Sequence, residues 1–255
     1  MRRLSVDVGN TKTALALFEK DKLLGQWRIR TQRWTADELR ILTEALLRSE
    51  GFSPPDDVAF ACVVPQVRHT VINMCERWLK ITPVDVSCAT AGIELGYKYP
   101  HEIGPDRLAN AVAAIVQGRL PAVVVDFGTA TTFDVIDGAG RYLGGAISPG
   151  VGTSAGELFK KAERLNPIDL VFPESVVGRT TAHAIRSGVL FSAVGAADHI
   201  IDLISAEFDS VPELWATGGW GQALGSRCRH SFRICPELTL LGINEIGRKN
   251  GEKGS

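Results

Sequence analysis

The chain has 255 residues, 45% of them hydrophobic, and a formal net charge of −1 from 28 Lys and Arg against 29 Asp and Glu. That composition can fill one large or two modest cores, and the balanced charge gives no general attraction to nucleic acid or to an anionic membrane. Cys62, Cys75, Cys88, Cys228 and Cys235 show no Cys-x-x-Cys spacing, so they read as free thiols in a reducing compartment rather than a disulfide frame or a zinc site. Asp7 and Asn10 follow Arg2 and Arg3 too closely for a signal-peptide core, and no apolar run suggests a membrane span. The expected location is cytoplasmic, with no membrane and no nucleic acid as partner.

Residues 4–31 read as three strands, LSVDV, ALALF and LLGQWRIRT, with residues 19–22 as the polar turn before the third. Thr35 and Glu38 form a capping-box signature, and Leu39, Leu42, Leu46 and Leu47 follow at helical spacing, which predicts a helix to Ser49. VAFACVV, residues 58–64, is a short apolar run closed by Pro65 and suits a buried parallel strand. A helix over 67–79 and a strand at 83–86 complete an α/β domain.

The Gly104-Pro105 pair starts a further helix, with Asp106 in its first turn and a small apolar run behind it. An acid at that place is also what the helix dipole alone favours. A second hairpin follows, VVVDFGTATTFDVID, residues 123–137. After it, residues 142–152 carry Gly144, Gly145, Gly150 and Gly152 with Pro149, which suits a close backbone approach or a loop. Helices are expected at 157–165 and, as one or two pieces, at 181–208. A strand from Leu214 leads into Gly218-Gly219, a bare turn suited to an adenine or ribose, and residues 248–255 read as a frayed tail.

The two Asp-x-Gly hairpins are related. Placing Asp7 on Asp126 without gaps also places Gly9 on Gly128, Thr13 on Thr132, Leu24 on Leu143 and Gly25 on Gly144. A Gly after a buried strand lets successive N–H groups turn toward an anion, and Thr11, Thr13, Thr129, Thr131 and Thr132 add hydroxyl donors. Either hairpin alone could be a ligand-free turn. The duplication predicts two similar domains, 1–117 and 118–255, facing each other across a cleft with a nucleotide between them.

With these segments assembled, the sequence resembles the type III pantothenate kinases. The likeness runs through DVGNTKTALALF, YKYPHEIGPDRLANAVAA, DFGTATTFDVID, YLGGAISPG, TTAHAIRSGV and ATGG. It implies the duplicated ribonuclease-H-like fold of the acetate and sugar kinase, Hsp70 and actin superfamily, and phosphorylation of pantothenate by ATP, the first step of coenzyme A synthesis. Carried over by position, it implies that Asp7, Val8, Gly9, Asn10, Thr11, Lys12, Thr13 and Ala14 hold ATP phosphates, with Thr129 on the nucleotide and Asp126 at a monovalent cation, K⁺ or NH₄⁺. It makes Asp106 the catalytic base and puts Tyr97, Gly104, Pro105, Asp106, Arg107 and Thr181 around pantothenate. It further implies Mg²⁺ on the phosphates and a homodimer. Tyr99 stands where many members have Asn. Two other readings use the same residues: a nucleotide-binding switch without turnover, which has no need of Asp106, and a sugar kinase, which differs in its acceptor.

Overall fold

The computed structural model describes residues 1–162 and 167–251 and divides into two compact units, Met1–Gln117 with the segment from Glu237 onward, and Gly118–Pro236. The first unit is built on strands β1 (Arg2–Val8), β2 (Lys12–Glu19), β3 (Lys22–Arg30), β4 (Asp57–Cys62) and β5 (Val84–Asp85), in the sheet order β3-β2-β1-β4-β5. β1 is antiparallel to β2 and parallel to β4, and is central, which accounts for its nearly continuous burial from Arg3 to Val8. Leu4, Val6, Val8, Val58 and Phe60 are at most 2% exposed, each such burial being worth about 1.5–3 kcal/mol.

Helix α1 (Ala36–Ser49) carries the full capping box between Thr35 and Glu38. Pro65 takes the first position of α2 (Pro65–Met74), whose last turn continues as a π-helix over Cys75–Leu79. Pro105 opens α3 (Pro105–Gln117).

The second unit repeats the plan with β6 (Ala122–Phe127), β7 (Ala130–Ile136), β8 (Tyr142–Pro149), β9 (Glu213–Thr217) and β10 (Arg233–Ile234), in the order β10-β9-β6-β7-β8. Its strand directions match those of the first sheet element by element. Even the irregularity recurs: the register slips between Leu17 and Phe18, where Leu17 faces Gly25, and between Val135 and Ile136, where Val135 faces Gly144. One detail of the ungapped alignment changes. Val8 pairs with Thr13 but Phe127 pairs with Thr131, so the second turn is shorter by a residue and the counterpart of Thr13 is Thr131, not Thr132. The next turn is longer by one, and β8 returns to the original alignment.

Of the glycines of residues 142–152, Gly144 and Gly145 lie in strand, Gly150 caps the helix that follows and Gly152 lies within it. A Cβ on Gly145 would stand 1.7 Å from the Phe133 carbonyl oxygen, so only glycine lets β8 approach β7 there. Helix α4 (Val151–Lys161) therefore starts directly after Gly150, earlier than its apolar spacing suggested, and Leu165 of the expected helix lies outside the described residues. Helix α5 (Thr181–Ser205) is one element, capped by Thr180. Its length and apolarity would suffice to cross a membrane, a feature that its many small residues conceal in the sequence. In this fold Leu190, Val194, Ala197 and Ile201 pack into the core of the second unit.

The expected boundary at the C-terminus needs correction. After α6 (Gly221–Gly225), helix α7 (Leu238–Gly251) takes in the first half of the supposed tail, residues 248–251, and belongs to the first unit. It packs on α3, β1 and β4, so apolar residues surround it rather than forming one stripe. A Cβ on Gly242 would meet the Ala109 carbonyl oxygen at 1.8 Å, and Thr239 donates a hydrogen bond to Asn110 Oδ1 at 2.8 Å. Residues 252–255 lie outside the description.

Candidate active site

In the first unit, Asp7 ends β1 half-buried, Val8 is core, and the Gly9 N–H closes the turn on the Lys12 carbonyl at 3.1 Å. A Cβ on Gly9 would crowd that same oxygen at 3.0 Å. Asn10, Thr11 and Lys12 stand exposed at the tip, whereas Thr13 is fully buried and Ala14 is a strand residue half covered. Thr13 is thus turned inward: its hydroxyl is 2.9 Å from that of Thr31. Among the expected phosphate residues, the exposed ones are the three at the tip, and Val8, Thr13 and Ala14 shape the strands beneath them.

The second unit presents the corresponding turn. The Gly128 N–H donates to the Ala130 carbonyl at 3.0 Å, leaving Thr129 exposed. The Thr129 carbonyl is held by the Gly150 N–H at 3.1 Å and the Thr153 hydroxyl at 2.6 Å. Asp126 Oδ1 is bounded by glycine: a Cβ on Gly218 would come within 2.3 Å of it and one on Gly128 within 3.3 Å. Gly218 also has φ +85°, where L side chains are disfavoured. Two side-chain-free residues therefore let the backbone pack closely against this carboxylate. Among the described residues no group of three or more His, Cys, Asp or Glu could hold a metal ion.

The segment before α3 supplies the remaining groups of the first unit. Tyr99 opens a 3-10 turn (Pro100–Glu102) without a side-chain cap, and its ring lies out in solvent beneath Lys98 Nζ at 5.2 Å. The turn is closed by backbone, the Glu102 N–H donating to the Tyr99 carbonyl at 3.0 Å. Tyr97 is half-buried. The Leu108 N–H donates to the Gly104 carbonyl at 3.1 Å, and a Cβ on Gly104 would meet Asp106 Oδ1 at 2.5 Å.

Asp106 Oδ1 accepts the Arg107 N–H at 2.9 Å. Burial raises the Asp106 pKa above the ordinary aspartate value of 3.8, with the Arg107 N–H and guanidinium pulling the other way. A desolvated carboxylate at a helix start is a stronger base than one in water. Arg107 is 7% exposed, so its charge is held in a mostly enclosed setting. Thr181 belongs to the second unit, where it begins α5 and lines a mostly apolar cavity of about 620 Å³ with Phe133, Val151, Leu158 and Ile185.

The structure thus groups Asp7–Ala14, Tyr97 and Gly104–Arg107 in one unit and Asp126, Thr129 and Thr181 in the other. Sequence reasoning missed Thr31 and Thr153, although extending the repeat places Thr31 on Gly150, already marked for a close backbone approach, and would have drawn attention to it.

Twice-repeated five-stranded sheets with an Asp-x-Gly turn on each define a class. The chain is similar over its full length to the ROK hexokinase of Thermus thermophilus, with a TM-score of 0.55 at 16% identity and 100% of each chain covered. It is also similar to the activator of 2-hydroxyisocaproyl-CoA dehydratase from Clostridium difficile, with a TM-score of 0.56 at 12% identity, covering 100% of this chain and 97% of that one. These likenesses show the fold, two ribonuclease-H-like units. The sequence model of the type III pantothenate kinase family matches residues 3–203. A type III pantothenate kinase of Desulfosudis oleivorans is 41% identical over 249 residues, which is 96% of this chain and 98% of the relative. The chain belongs to the type III pantothenate kinase family.

Proposed function

We propose that this chain is a pantothenate kinase, transferring the γ-phosphoryl group of ATP to the primary alcohol of pantothenate as the entry to coenzyme A synthesis. The observation that carries this reading is the joint presence, in a member of the family, of two Asp-x-Gly turns and a desolvated carboxylate at Asp106. Phosphoryl transfer needs positioning and charge neutralisation more than covalent help. The exposed tip Asn10–Lys12 and Thr129 serve the phosphates, Asp106 orients the acceptor hydroxyl and takes its proton, and Arg107 faces the carboxylate of pantothenate, with Tyr97, Gly104, Pro105 and Thr181 as further contacts. A panel of acceptors assayed for ADP release tests it: turnover with pantothenate and not with sugars is expected, and turnover with a sugar alone would overturn it.

Phosphates beside Asp7 and Asp126 repel unless cations intervene. Mg²⁺ would be held mainly by phosphate oxygens and water, with Asp7 the carboxylate of the first turn, and would supply neutralisation of the polyphosphate charge. Asp126 is proposed to take a larger monovalent ion, K⁺ or NH₄⁺, among oxygen ligands. Activity is accordingly expected to require K⁺ in a titration at constant ionic strength against a bulky organic cation, and Asp126→Asn to weaken both the activation and ATP binding. Equal activity without K⁺ would remove the ion from Asp126.

The raised Asp106 pKa has a sign that can be checked. A base works only when ionised, so kcat/KM falls as pH drops through that pKa, and the acid limb is expected above the ordinary aspartate value of 3.8. In Asp106→Asn that limb should vanish from the residual activity. The enzyme is proposed to work in the cytoplasm as a homodimer; the apolar cavity beside α5 and the exposed Leu158 offer surface for a second copy.

A further inference from the structure

The first turn is held from beneath by hydroxyls that the proposed chemistry does not use. Thr31 follows β3, and its Oγ1 lies 2.7 Å from the Gly9 carbonyl oxygen, which can only accept. A hydroxyl has one proton to give, so in the 2.9 Å contact between Thr13 and Thr31 the donor is Thr13. The chain runs from Thr13 O–H to Thr31 Oγ1, and from Thr31 O–H to the Gly9 carbonyl. Hydrogen bonds in series polarise one another, the more so where Thr13 is fully buried. The Gly9 carbonyl is thereby drawn inward. Across a trans peptide the Asn10 N–H must point the opposite way, to the side where the exposed tip stands.

The second unit clamps its turn by other means. The counterpart of Thr31 is Gly150, whose N–H meets the Thr129 carbonyl as the Thr31 N–H meets the Thr11 carbonyl, both at 3.1 Å. A Cβ on Gly150 would clash with the Gly128 carbonyl oxygen at 2.2 Å, so no side chain can act from that position. A threonine hydroxyl also acts in the second turn, from Thr153 on α4, but on the Thr129 carbonyl, the counterpart of Thr11, and not on the Gly128 carbonyl that matches Gly9. The hydroxyl clamp on the first Gly carbonyl of the turn is thus a feature of the first unit, set by Thr31.

We propose that Thr31 is a positioning residue for nucleotide binding, fixing the Gly9–Asn10 peptide so that the Asn10 N–H is presented to a phosphate. This rests on the assignment of the Asp7–Ala14 turn to ATP. The test measures ATP affinity, both KM values and thermal stability for Thr31→Val, Thr31→Ser, Asp7→Asn and the Thr13→Val/Thr31→Val double variant. Thr31→Val should weaken ATP binding about tenfold, the effect of roughly one well-placed hydrogen bond, and leave the KM for pantothenate within about twofold, and Thr31→Ser should restore the wild-type value. The double variant leaves no orphaned hydroxyl and should recover melting temperature but not ATP affinity. Wild-type ATP binding by Thr31→Val, or recovery of both properties in the double variant, would overturn the proposal. If Asp7→Asn alone weakens ATP binding, only the role of Thr31 fails; if neither variant does, the assignment of the turn to ATP fails with it.

Discussion

Asp106→Asn is expected to lower kcat by roughly 10²- to 10⁴-fold, the range for removing a general base, while the melting temperature stays equal to that of the wild type or rises. Both expectations have one cause. Burial disfavours the ionised carboxyl in the folded chain and raises its pKa, so the stability that this group contributes is full below the unfolded pKa and is lost as pH rises through the folded one. At neutral pH the native acid is therefore a small liability that Asn removes. Asn can still accept the Arg107 N–H that Asp106 Oδ1 accepts at 2.9 Å, and it is tolerated in the first turn of a helix. Steady-state kinetics and a thermal melt at the same pH check the pair. A loss of activity under about threefold would reduce Asp106 to a helix-start residue.

Arg3→Ala should have the largest effect on stability, about 3–5 kcal/mol, the usual consequence of leaving one partner of a buried ion pair unmatched. Arg3 Nε lies 2.6 Å from Asp57 Oδ2, and the two side chains are 8% and 13% exposed. Its Nη1 donates to the Asn244 carbonyl at 3.1 Å. One guanidinium thus ties β1 to β4 and both to α7, whose Gly247 leaves room for it: a Cβ there would stand 2.7 Å from Arg3 Cδ. The urea midpoint of the variant measures the loss. An apolar pair, Arg3→Leu with Asp57→Leu, should recover much of it, and a loss under about 1 kcal/mol for Arg3→Ala would contradict the account.

Those same contacts explain what the sequence conceals. The first three-strand meander, the Thr35 cap and the Pro105 helix start are local matters of alternation, capping and proline chemistry, and they stand in the structure where they were expected. Helix α7 is recognised only through partners more than a hundred residues away, Ala109 and Asn110 among them, and sequence alone marks only residues 248–255 of this end, as a tail. β8 was obscured because the glycines that bring it against Phe133 look like loop residues. At the site, residue types pointed to Asp7, Asp106 and Asp126, but not to which hydroxyls face outward. Thr13 and Thr129 both read as hydroxyl donors, yet Thr13 is buried in its strand, as its counterpart Thr131 is, whereas Thr129 stands exposed at the turn, as Thr11 does.

The most direct test of the central reading is the structure of the product. Purified protein incubated with ATP, Mg²⁺, K⁺ and pantothenate should yield ADP and a monoester carrying the new phosphate on the primary alcohol, seen by phosphorus NMR through its coupling to the adjacent methylene protons. ATP consumption that releases only inorganic phosphate, or no consumption from a folded protein that binds ATP, would contradict it.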